Sequence, residues 1–65
     1  MTVTINGEAR ELDAFTVAEL VEALGLKPDR IAIEQNLEIV ARGTWEAAPV
    51  RDGDRFEIVH FVGGG

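Results

Sequence analysis

Cysteine and serine are both missing from this 65-residue chain, and histidine and tryptophan occur once each. Without cysteine there is no disulfide framework and no thiolate zinc site, so stability must come from patterned apolar packing, and a reducing cytoplasm is the expected compartment. A nucleophile with its base and orienting group needs Ser or Cys beside His, so an independent hydrolytic centre is excluded, and the chain is expected not to be an enzyme. Long apolar runs are lacking too. Nothing approaches membrane-spanning length, and "MTVTING" has neither the basic region nor the apolar stretch of a signal peptide, so the protein is expected to be soluble, away from membranes and mature from Met1. Positive charge is scarce. Twelve acids against six Lys and Arg leave a formal charge of −6, which argues against nucleic acid and points to partners with basic docking surfaces, although acids also serve simply as solubilising surface.

Metal and phosphate motifs fail in turn. His60 is a lone histidine in the last strand, more in keeping with a packed or surface position than with a ligand. Asp52-Gly53-Asp54 starts like a calcium loop but lacks the later oxygen ligands and the closing glutamate, so it is read as a turn. No helix follows Gly63-Gly64-Gly65 to make it a phosphate loop. No permanently bound cofactor is expected.

What is present is regular patterning. In "TVTINGEAREL", Val3 and Ile5 alternate with polar residues ahead of Asn6-Gly7, the pair most tolerant of positive φ, which predicts an antiparallel hairpin. "TVAELVEALGLKP" opens with Thr16 and Glu19 in capping-box spacing and sets Val17, Leu20, Val21 and Leu24 on one stripe. Gly25 can cap in the left-handed region and Pro28 prevents continuation, so the helix is expected over roughly 17–24. "RIAIEQNLEIV" reads as strand, polar turn and return strand, with Ile31 and Ile33 on one face and Ile39 and Val40 in the return. Trp45 lies in an irregular stretch, where its indole anchors a loop onto the core unless it serves as a binding surface. The last strand is expected from about Arg55 to Val62.

The order is β-β-α-β-β-β, an α+β arrangement of about four to five strands in a mixed sheet with one helix across one face. The first and last strands are expected to pair in parallel at the centre, which is a β-grasp layout. The expected domain covers residues 1–62, with a flexible glycine tail at 63–65. Such a small domain buries only about 60% of the surface of its unfolded chain, so its core is thin.

The tail follows an apolar strand with no polar spacer. Glycines without side chains can enter a narrow active site of another protein as a thin thread, which would deliver the Gly65 α-carboxylate as the reactive group. A carboxylate becomes reactive once an ATP-dependent partner adenylates it, and a sulfur donor can then displace AMP to leave a thiocarboxylate. A disordered or trimmed tail is the bland alternative.

With "ING", "TVAELVEALGL", "IAIEQNLEIVARGTW" with its Asn36, Arg42 and Trp45, and the "DGDRFEIVHFVGGG" ending, the chain resembles the ubiquitin-like sulfur carriers of the ThiS/MoaD family over essentially its whole length. Within that family it looks most like the carriers of thiamin biosynthesis. The defining Gly-Gly is matched by Gly64 and Gly65, while Gly63 stands where many relatives carry alanine. The resemblance implies adenylation of Gly65 by a ThiF- or MoeB-like enzyme that uses ATP, sulfur from a cysteine desulfurase or related donor, and delivery to thiazole synthase (ThiG). It implies a cosubstrate, monomeric when free. The small subunit of molybdopterin synthase shares the fold and glycines but is usually longer, and a protein tag or a binding-only β-grasp module is a third reading.

Period-two geometry supplies a docking face. With Phe56 and Ile58 assigned to the core, Glu57, Val59 and Phe61 point to the other side, where a single helix gives no cover. Val59 and Phe61 are therefore the expected partner-docking residues, the alternative being that Phe61 folds over the sheet edge.

Overall fold

The computed structural model describes residues 1–61, so Val62 and the expected tail at Gly63, Gly64 and Gly65 lie outside the described residues. Strands β1 (Thr2–Ile5) and β2 (Glu8–Glu11) precede helix α1 (Val17–Ala23), and β3 (Ile31–Gln35), β4 (Glu38–Ile39) and β5 (Arg55–His60) follow it. Short 3-10 turns occupy Pro28–Arg30 and Arg42–Thr44. No helix among the described residues is long and apolar enough to cross a membrane.

Local chemistry accounts for the first elements. Asn6 and Gly7 take φ of 50° and 84°, the paired positive values of a tight hairpin turn, and register Ile5 against Glu8 and Thr2 against Glu11. At the helix start the Thr16 hydroxyl accepts from the Glu19 N–H at 3.2 Å. The Glu19 carboxylate returns the bond to the Phe15 N–H at 2.8 Å, one residue earlier than the usual capping box. At the other end Gly25 sits at φ 70°, its N–H donating to the Glu22 carbonyl and the Leu26 N–H to the Val21 carbonyl, which is a Schellman closure. The helix therefore ends at Ala23 with Leu24 as its C-cap, one residue short of the expected end.

A helix of seven residues has little stability in water, so burial of Val17, Leu20 and Val21 against the sheet is what holds it. The sheet runs β2-β1-β5-β3-β4. Its centre is the expected parallel pair: Thr4 lies against Arg55 and Ile5 against Phe56, with β5 antiparallel to β3 on its other side. Val3, Ile5, Ile31, Ile33, Phe56 and Ile58 face the helix and form the core with Ala14, Val50 and Trp45. Trp45 is a loop anchor. Its ring is buried, its indole N–H donates to the Val40 carbonyl at 2.9 Å, and the Arg42 guanidinium lies 5.5 Å from the ring centroid while donating to the Ile31 carbonyl.

The return segment diverges from a simple buried strand. β4 is two residues long, Ile39 is 80% exposed, and Val40 alone of the pair packs against the core. The turn before it uses Asn36 and Leu37 at φ 51° and 73°, and Leu37 is 89% exposed. A leucine in the left-handed region carries a steric cost that glycine does not.

These placements separate two substitutions. Ile58→Ala is expected to lower unfolding free energy by about 2–5 kcal/mol through a cavity in a thin core. Leu37→Gly relieves the turn without removing buried contacts, and is expected to raise stability by up to about 1 kcal/mol. Urea denaturation of both variants checks the assignment: a stable Ile58→Ala or a destabilised Leu37→Gly contradicts it.

Candidate functional site

Strand β5 alternates as the sequence predicts. Phe56 and Ile58 are buried, while Arg55, Glu57 and Val59 project to the opposite face, with Val59 61% exposed. Phe61, just past the strand, is 56% exposed, and its N–H donates to the Arg30 carbonyl at 2.9 Å, so the chain stays tethered to the start of β3 where it leaves the sheet. Phe61 also borders a cleft with Leu26, Lys27 and Arg30 while keeping over half of its surface exposed. Both expected docking residues are thus accessible immediately before the expected tail, whose Gly63, Gly64 and Gly65 lie outside the described residues.

Two asparagines fix β5 from its flanks. The Asn6 side chain behaves like an added peptide group, its Nδ2 donating to the Ile58 carbonyl at 3.1 Å and its Oδ1 accepting the Ile58 N–H at 2.7 Å. On the other side the Asn36 N–H donates to the Arg55 carbonyl at 2.7 Å and its Oδ1 accepts the Arg55 N–H at 3.0 Å. Each turn residue therefore extends the hydrogen bonding of β5 past the end of its neighbouring strand. The strand that leads toward the tail is held along most of its length, which gives the expected docking residues a rigid base.

Cross-strand register shows which other residues share the exposed face. Ala32 lies opposite Val59, Glu34 opposite Glu57, and Ile39 opposite Glu34 from the far side. All of them are exposed, and Leu37 projects from the adjoining turn. Asn36, Leu37, Arg55 and Glu57 line a recess of about 330 Å³. Reading the sequence by alternation alone missed Ile39 and Leu37, because the register of the β3–β4 hairpin depends on a turn with no glycine to announce it, and missed the Glu34–Glu57 juxtaposition, because the β3–β5 register joins segments far apart in the chain.

His60 is exposed and borders a separate cleft of about 290 Å³ with Lys27, Arg30 and Phe61. Among the described residues no group of three or more His, Cys, Asp or Glu side chains gathers as a metal cluster. Asp52-Gly53-Asp54 is a turn, with Gly53 at φ 87°. Desolvation pushes the Asp54 carboxyl upward, but hydrogen bonds from the Arg51 N–H and from the Asn36 and Gln35 side-chain amides outweigh it, aided by the Arg51 charge, and hold Asp54 below the ordinary aspartate range.

The model of the ThiS family matches residues 3–65. A thiazole synthase of Magnetococcus marinus is 41% identical over 66 aligned positions that take in all of this chain and 20% of that protein, so the chain spans about one fifth of its length. The sulfur carrier protein ThiS of Thermus thermophilus is 35% identical across 97% of this chain and 98% of its own length. The crystal structure of the thiamine biosynthesis protein ThiS from Geobacter metallireducens superposes with a TM-score of 0.86 at 35% identity, covering both chains completely.

Asp54 gives this site a pH signature. Because its folded-state affinity for protons is lowered, it stabilises the fold when ionised, and that contribution is lost as pH falls through and below the ordinary aspartate range, about 4. The stability advantage of wild type over Asp54→Asn is therefore expected to be constant near neutrality and to shrink as the solution is acidified past that point. Thermal unfolding across pH measures it, and parallel curves for the two proteins contradict the expectation.

Proposed function

The chain belongs to the ThiS family of sulfur carriers in thiamin biosynthesis, and we propose that its Gly65 α-carboxylate is the group that carries the sulfur. In the first step a carboxylate oxygen attacks the α-phosphorus of ATP in the active site of a ThiF- or MoeB-like enzyme, pyrophosphate departs, and Gly65 becomes an acyl adenylate. Hydrosulfide, released when a thiol reductant supplies two electrons to the persulfide of a cysteine desulfurase or related donor, then adds to the acyl carbon and gives up its proton to solvent. AMP leaves with the former carboxylate oxygen and its electron pair, and the terminus is a thiocarboxylate. The chemistry requires a free carboxylate on Gly65. ATP belongs to the partner's site, and the chain is a cosubstrate rather than a catalyst.

The observation that carries this reading is the family match running through residue 65, which places Gly64-Gly65 inside the matched span. Gly63, Gly64 and Gly65 supply the passage: without side chains they suit a narrow channel that a bulkier residue would block. Val59 and Phe61 supply the docking surface beside it, since adjoining exposed apolar residues on a rigid strand form an anchor that positions the terminus. Thiazole synthase is the acceptor favoured by the similarity to a protein of that name, and the chain is taken to act as a monomer when free.

Incubation with ATP, the adenylating enzyme of the same organism and sulfide is expected to raise the intact mass by the difference between sulfur and oxygen. Deletion of Gly65 is expected to abolish the change, and a bulky residue at Gly64 to block it while leaving the Tm unaltered. An unchanged mass for wild type alongside an enzyme shown to be active sinks the proposal. Phe61→Ala is expected to weaken binding to the adenylating enzyme or to thiazole synthase by about 1–3 kcal/mol with little effect on unfolding; loss of fold without loss of affinity removes Phe61 from the docking surface.

A further inference from the structure

The exposed sheet face carries a cost that the fold does not need. Glu34 and Glu57 are directly opposite one another on adjacent antiparallel strands, an arrangement in which like charges are destabilising. Neither is in a salt bridge among the described residues, and Arg55, on the same face, pairs with neither. Apolar groups frame the two carboxylates, with Ala32 and Val59 along the strands to one side, Ile39 across from Glu34, and Leu37 at the turn. Leu37 adds a second cost, a left-handed backbone bearing a side chain that touches almost nothing. Beside it, Glu57 and Leu37 border the same recess of about 330 Å³.

We propose that this face receives an arginine or lysine of a partner protein, its charged head set between Glu34 and Glu57 and its apolar stem lying along Leu37. Long basic side chains divide in this way between an apolar wall and a polar tip. The added cation turns a repulsive carboxylate pair into a bridged one, and Leu37 gains the contact that offsets its strained position. Sign selects the partner. A net charge of −6 repels nucleic acid, and a second copy of the chain would set four carboxylates against only two Arg55 guanidinium groups, so a protein surface with a cation inside an apolar ring is what fits. The proposal deepens the carrier reading above and rests on it for the proteins to be tested.

The test is calorimetric titration of wild type, Glu34→Gln, Glu57→Gln, the double variant and Leu37→Gly against the adenylating enzyme and thiazole synthase of the same organism, at low and high ionic strength, with the Tm of each. The double variant is expected to bind at least one of these proteins roughly tenfold or more weakly, to lose most of the salt dependence shown by wild type, and to keep or raise its Tm. Leu37→Gly is expected to bind more weakly while unfolding at a higher temperature. Unchanged affinity of the double variant for both proteins overturns the proposal. So does a fall in its Tm, which would make the carboxylates part of the fold, or self-association of wild type that the double variant abolishes. Wild type that binds and yet never acquires sulfur refutes the carrier chemistry and leaves the docking result to stand by itself, whereas wild type that binds neither protein overturns both.

Discussion

The parallel pairing of β1 with β5 is the contact on which the rest of the structure depends. The first and last strands of the chain meet at the centre of the sheet, Ile5 beside Phe56, and everything between them must form a crossover that returns the chain to that position. A parallel pair cannot be closed by a tight turn, so the helix and the long irregular return are consequences of it. It also puts the final strand in the most constrained place available. Had β5 been an edge strand, the segment leading into the glycines would have fewer bonds and could fray; flanked by β1 and β3 and bonded by Asn6 and Asn36, it gives the terminus a fixed origin.

That constraint also creates the exposed face. One short helix covers one side of five strands, and the side it covers takes Phe56 and Ile58. Alternation then commits Glu57 and Val59 to the uncovered side, whatever the cost. In a monomer that side would ordinarily become polar. Here Ala32, Ile39, Val59 and the flanking Leu37 and Phe61 keep it partly apolar around two acids, a composition that fits the docking role proposed for it.

Where a residue type has one dominant local use, the sequence was legible. Asn6-Gly7 announced its turn, Thr16 and Glu19 the helix start, Gly25 its end, and the alternation from Arg55 onward the two faces of β5. Trp45 was recoverable because a lone indole in an irregular stretch has few places to bury its area. At Asn36-Leu37 the sequence showed a turn but not its geometry, because leucine at positive φ is held there by its surroundings: the Asn36 bonds to Arg55 and Asp54 tie the turn to β5, and no propensity of the dipeptide reveals them. Without the geometry of that turn, the register of β4 was unread, and Ile39 could not be assigned to the face it shares with Glu34. The glycines are a different case. The role proposed for them is chemical, and the motif and the family resemblance suggest it where packing has nothing to add.

Charge and geometry divide the work of recognition between them. On the proposed reading, the carrier binds an activating enzyme, releases it and binds an acceptor, so each contact has to be specific without being tight. A purely apolar face of this area would raise affinity and also self-association, which unbalanced apolar patches promote. Placing two carboxylates inside the apolar ring penalises a second copy and every acidic or uncharged surface, while a partner that supplies the matching cation pays no such penalty. Net negative charge over the remainder of the chain extends the same selection to longer range, speeding encounter with basic surfaces until salt screens it. Joining carrier and acceptor in one polypeptide would replace that long-range term by effective concentration. The short-range pairing at the sheet would still be required, because proximity alone does not set the angle at which the glycines enter a channel.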